Sequence, residues 1–297
     1  MLSGILFALL TGVVFMLIGI LFSYAGTRVD ILTVMLLQNL LLGVLFFLGA
    51  VPDGFSREML LPVAIMAVTG VINLLAMFAL QKSMAIGNPG AAWAIAQSAL
   101  VGPYLGALLF LGERPTVVRV AGIVLILGGM ALLGISSKKS IDDAGQSAGK
   151  GKYLWLLLAF AAFGLLVAAQ YVVTASSQWS GEVGTALRAG AMSLGCVLFA
   201  GGVKAVRRQF RFRPDRRTVI CVVGLTLLGL VSQSTTFITV DRLSEVGAAG
   251  IGYPIMMGSC IALFFLYTAI VLKEKSSICG KIAVAVLVAG IFSLCFS

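Results

Sequence analysis

The chain has 297 residues, of which 60% are apolar and only 11% charged, and its mean hydropathy is +1.09. A water-soluble core cannot hide that much apolar surface, so the solvent of this protein is lipid. The net charge of +10 comes from basic residues in short gaps between apolar runs. There they face lipid headgroups and mark topology, and no nucleic-acid partner is implied.

A membrane-crossing helix needs about 20 mostly apolar residues. In chain order ten such runs occur, at 3–24, 31–50, 60–80, 90–111, 117–135, 153–175, 183–203, 217–238, 247–271 and 277–296. They are too long and too little alternating for a β-barrel, so an all-α membrane protein is expected. The first run has no basic stretch before it and reads as a retained helix. Most connections are short and carry turn chemistry: VPDG at 51–54, GNPG at 87–90 and GERP at 112–115. Two are longer. The polar, Gly/Ser-rich SSKKSIDDAGQSAGKGK at 136–152 divides the chain into halves of five spans each. The basic KAVRRQFRFRPDRR at 204–217 reads as a loop on the membrane surface.

The two halves repeat one another. Gly90-Ala91-Ala92 and Gly247-Ala248-Ala249 lie 157 residues apart, and Glu113 and Glu274 lie 161 apart. The four-residue difference is about one helical turn, so the ninth span corresponds to the fourth plus one turn. Gly129 and Gly290 keep the 161 spacing. Five is odd, so two tandem copies enter the membrane from opposite sides. The expected fold is therefore ten transmembrane helices in a 5+5 inverted repeat, an arrangement suited to alternating access.

Five plus five spans, a polar hinge, and LGERP closing the fourth span before the Gly-rich AGIVLILGGMALLG resemble the EamA-like branch of the drug/metabolite transporter superfamily. The stretch GNPGAAWAIAQSALVGPYLGALLFLGE is also similar to its sugar-transporting relatives, whereas the second half has LKEKS and lacks the usual Gly before Glu274. The resemblance implies one EamA-like repeat over 1–136, a polar hinge loop over 137–152 and a second repeat over 153–297. It further implies a monomer or homodimer whose central cavity is lined by the first four helices of each half. The fifth helix of each half would stand outside.

Polar side chains inside spans are costly and face protein or water. Trp93, Gln97, Leu100 and Tyr104 share one face of the fourth span by their i, i+4, i+7, i+11 spacing. Trp93, Gln97 and Tyr104 offer an aromatic platform with an amide and a phenol. Gln38 and Asn39 lie in the second span, Asn73 in the third, Gln170 in the sixth, Gln233 in the eighth and Tyr253 in the ninth. Each is a substrate-binding candidate, and each could instead join helices through hydrogen bonds. Pro254 is expected to break or kink the ninth helix.

There is no histidine, and the five cysteines show no CxxC spacing, so no metal or other cofactor is expected. None of the eleven carboxylates falls in mid-span, which argues against a membrane-embedded enzyme and against a drug-cation pump. The expected function is a secondary transporter of a small neutral or zwitterionic metabolite, a sugar or amino acid. The alternative is a multidrug or metabolite exporter of the same superfamily, with Glu113 as the candidate site should it be proton-coupled. Loops that follow odd-numbered spans hold 16 of the 21 basic residues. That count puts both termini outside the cytoplasm, whereas the resemblance implies termini inside. The compact chain suits a bacterial inner membrane.

Overall fold

In the computed structural model the described residues are 1–25, 29–50, 57–86, 92, 93, 96, 99, 103, 116–143, 150–175, 183–207, 215–271 and 278–296. Among them all regular structure is helical: α1 Leu2–Ala25, α2 Ile31–Ala50, α3 Leu60–Ile86, α4 Val117–Asp143, α5 Lys150–Ala175, α6 Thr185–Val206, α7 Arg216–Ser244, α8 Gly252–Ile270 and α9 Ile278–Cys295. Eight of the described helices are long and apolar enough to cross a membrane, and Val117–Leu132 is a shorter apolar helix. The protein is an integral, multi-pass membrane protein. Along α1 and α2 large side chains such as Leu6, Leu10, Leu41 and Leu48 stay exposed, which only lipid makes favourable. The expected fourth span, 90–111, lies mostly outside the described residues, as do Gln97, Tyr104, Glu113 and Glu274.

Two expectations change in detail. The hinge is shorter than 137–152, because α4 continues to Asp143 and α5 begins at Lys150. No Gly or Pro interrupts Ser136–Asp143, and an established helix propagates into water at little cost. Pro254 breaks no ladder, because it is the third residue of α8, after a 3-10 turn at Ala249–Ile251. Its missing N–H falls among the first-turn donors that have no intrahelical partner anyway.

Helix ends are set by local chemistry. The Asp215 carboxylate accepts the Thr218 N–H at 2.9 Å and starts α7. Asp30 does the same for α2 through the Leu32 N–H. Past the end of α7, Gly247 takes φ +63° while the Ala248 N–H donates to the Leu243 carbonyl. This left-handed cap favours glycine.

The most extensive pairings are α4 with α9, α3 with α5, α2 with α6, α1 with α7, α3 with α6, and α1 with α8. Glycines let backbones meet. A Cβ at Gly195 would lie 1.8 Å from the Ala67 carbonyl oxygen, and one at Gly70 would lie 1.9 Å from that of Met192. The α3–α6 crossing is therefore backbone on backbone. Polar contacts assign helix ends to two faces. Arg188 meets Asp241, Arg119 donates to the Gly247 carbonyl, and Ser293 donates to that of Val118. These gather the starts of α4 and α6 with the ends of α7 and α9 on one face. On the opposite face Lys204 meets Asp30, and Gln81 donates to the Val29 carbonyl.

Candidate functional site: a central cavity

Between the helices lies a cavity of about 110 Å³, room for on the order of ten waters or a solute of similar heavy-atom count. Its wall is built by helical spacing. α1 contributes Phe15, Ile18 and Phe22, successive residues of one face, and α5 contributes Phe163, Leu166, Val167 and Gln170. α7 contributes Leu225, Gly229, Ser232, Gln233, Thr236 and Phe237. Met35 and Gln38 come from α2, Asn73 and Met77 from α3, Met192 from α6, and Tyr253 and Met257 from α8. Trp93 completes the described wall, to which α4 and α9 contribute nothing.

Six of the nine candidate residues thus meet at one place: Trp93, Gln38, Asn73, Gln170, Gln233 and Tyr253. Asn39 does not join them. It follows Gln38 by about 100° of helical rotation, and its amide donates to the Met35 carbonyl at 2.8 Å. It lies instead against a separate apolar groove between α2 and α6. Gln97 and Tyr104 lie outside the described residues. Sequence reasoning missed the rings and thioethers, Phe15, Phe163, Phe237, Met77, Met192 and Met257. In a chain this apolar, no pattern separates a cavity-facing Phe or Met from a lipid-facing one.

The polar groups fall into two sets. One set is engaged within the protein. The Trp93 indole donates to Cys260 Sγ at 3.3 Å and stacks on Phe264. Gln170 Nε2 donates to Met192 Sδ at 2.9 Å, and the Tyr253 hydroxyl makes a long, 3.5 Å contact to Gln170 Oε1. The other set is not: Gln38 Oε1, Gln233 Oε1 and Thr236 Oγ1 are buried and have no hydrogen-bond partner among the described residues. An unpaired buried oxygen of this kind costs about 1–3 kcal/mol.

No charged side chain is among the described residues that line the cavity. Among the described residues two buried cations lie near the ends of α6. Arg188 binds Asp241 through both forks, at 3.1 and 2.7 Å, and its guanidinium lies 5.0 Å from the centre of the Phe237 ring. Lys204 Nζ lies 3.0 Å from Asp30 Oδ2. Partial burial pushes the Asp30 carboxyl up, but hydrogen bonds from Thr33, Lys204 and the Leu32 N–H outweigh it. The net position is below the usual carboxylate range. No group of three or more metal-binding side chains occurs among the described residues.

The sequence profile of the EamA-like transporter family matches residues 2–135. Among curated proteins none matches the sequence. One solved crystal structure superposes with a TM-score of 0.65 over 96% of this chain and 95% of its own, at 19% identity. That likeness is one of fold.

Proposed function

From the match of residues 2–135 to the EamA-like transporter family, we propose that the chain carries a small neutral or zwitterionic metabolite by alternating access. The observation that carries this reading is the central cavity: small, with no charged side chain among its described lining residues, and walled by amides and aromatic rings. Its volume suits a sugar or an amino acid and is tight for a multi-ring drug. The apolar share of its wall, with Phe15, Phe163 and Met257, favours the second reading, an exporter of lipophilic compounds. Against that reading stands the missing carboxylate, since a cationic drug in a low-dielectric site needs a counter-charge.

A 5+5 inverted repeat is part of this reading, and the pairing of the described helices favours it. Exchanging α1 with α5, α2 with α6, α3 with α7 and α4 with α9 turns the α1–α7 pairing into α5–α3 and leaves α2–α6 and α4–α9 unchanged. Within α4–α9, a Cβ at Gly122 would meet the Gly290 carbonyl and one at Gly129 the Ala283 carbonyl. Residues 122 and 283, like 129 and 290, are 161 apart, so one contact is the repeat image of the other. α3 ends beside Val29 and α4 begins beside Gly247, on opposite faces, which favours an odd number of crossings between them. Rocking of one half against the other would then open the cavity to each face in turn. The described wall comes from one chain, so a monomer suffices, and a homodimer remains compatible with it. The charge count supports placing the face that bears Lys204 in the cytoplasm, and the compact chain fits a bacterial inner membrane.

The test is counterflow in proteoliposomes loaded in turn with neutral sugars, amino acids and lipophilic cations. Saturable exchange of a sugar or amino acid is the expected result. Exchange of lipophilic cations alone would replace this reading with the exporter.

A further inference from the structure

Hydroxyl groups along α7 behave in two ways. Thr226, Ser232, Thr235, Thr239 and Ser244 each donate to a carbonyl three or four residues back on the same helix. Such back-bonding is the default for a hydroxyl in an apolar helix, because it needs no outside partner. Thr236 departs from it. It is 6% exposed, lines the cavity, and its Oγ1 has no partner among the described residues. Three residues earlier on the same face, Gln233 Oε1 likewise has none among them, and neither has Gln38 Oε1 from α2. Gly229 brings these groups together. A Cβ there would stand 3.3 Å from Gln38 Nε2, so the missing side chain lets the Gln38 amide lie against α7, one turn from Gln233.

We propose that Gln38, Gln233 and Thr236 form the recognition strip of the cavity and that the carried solute is uncharged and rich in hydroxyl groups, with Thr236 as its specificity-determining residue. The inference rests on the carrier reading above. A hydroxyl both gives and accepts a hydrogen bond, as do the amide and hydroxyl groups of the strip, so it can satisfy whichever end an amide presents. A carboxylate finds no cation among the described residues of the wall. Arg188, the nearby candidate, stands behind the Phe237 ring and is already neutralised by Asp241. An ammonium finds no carboxylate among the lining residues. A solute with a hydroxylated edge and an apolar C–H face would set its edge on the α2–α7 strip and its face on the rings of α1 and α5.

The experiment uses purified full-length protein in proteoliposomes, with D-glucose, xylitol, L-serine, O-permethylated glucose and tetraphenylphosphonium as probes. Wild type, Thr236→Val and Thr236→Ser are compared, and melting temperatures are recorded to confirm that all three fold. Expected is exchange of glucose or xylitol, no exchange of the permethylated sugar, a drop of about tenfold in Thr236→Val, and near wild-type exchange in Thr236→Ser. If Thr236→Val exchanges the polyols as fast as wild type, or if serine is preferred, the recognition strip is overturned while the carrier reading stands; if tetraphenylphosphonium alone exchanges, the exporter replaces both. If no probe exchanges, both fall.

Discussion

The two ends of α6 solve the same problem differently. Arg188 at one end and Lys204 at the other are each 5% exposed, and each meets one aspartate. Arg188 uses a planar fork on Asp241, whose side chain is 37% exposed, and lays its other surface on Phe237 in the cavity wall. Lys204 makes a single contact to Asp30, which is 55% exposed and also caps α2. The Arg188 pair lies within the second half of the chain, between α6 and α7, whereas the Lys204 pair joins α6 to α2 of the first half. Geometry thus assigns the stiffer pair to holding the cavity wall and the softer pair to a joint between halves.

The sharpest break lies between those ends. Gly195→Val would drive a side chain into the Ala67 carbonyl and separate α3 from α6. A loss of more than about 3 kcal/mol is expected, read as failure to recover folded protein in detergent. Next is Asp241→Ala, which leaves the buried guanidinium uncompensated. It should cost about 3 kcal/mol and abolish exchange, as shown by melting and counterflow together. Arg188→Lys keeps the charge and loses the fork and the ring contact. About 1 kcal/mol of stability should go, with a larger proportional fall in exchange, because Phe237 loses its backing. An equal fall for Lys204→Arg would erase the difference between the two ends.

The smallest effect is expected at Asp30. Asp30→Asn keeps a capping side chain and removes the ion pair, so the cost at neutral pH stays below about 1 kcal/mol. Because the Asp30 carboxyl sits below its ordinary range in the folded protein, its contribution is fully present above the unfolded value, about pH 4. It is lost as pH falls through the lower, folded value. Wild type and Asp30→Asn should therefore begin to converge in melting temperature as pH falls below about 4 and meet only below the folded value. A gap that persists there would show that the ion pair is not the cause.

Much of this fold was legible in the chain. Each described helix falls on one of the expected runs, because in lipid a backbone must satisfy itself within each span. The spacing of Gly129 and Gly290 pointed to a repeat, and both glycines meet the partner helix of the α4–α9 pair. The site was legible only in part. Gln38 and Asn39 are neighbours of like chemistry, yet one lines the cavity and the other closes on its own helix. Nothing in their order says which way α2 is turned.

By itself the sequence determined the solvent, the helices, their approximate ends and the class of chemistry, because these depend on residue type and spacing along one chain. Only the tertiary structure decided which polar groups are spent and which are open. Gln170 is held by Met192, and Trp93 by Cys260, while Thr236, among hydroxyls that close on their own helix, has no partner among the described residues. The physical reason is that a hydrogen bond needs two groups within about 3 Å. Where the partners are 22 or 167 residues apart, only the packing of the helices brings them that close.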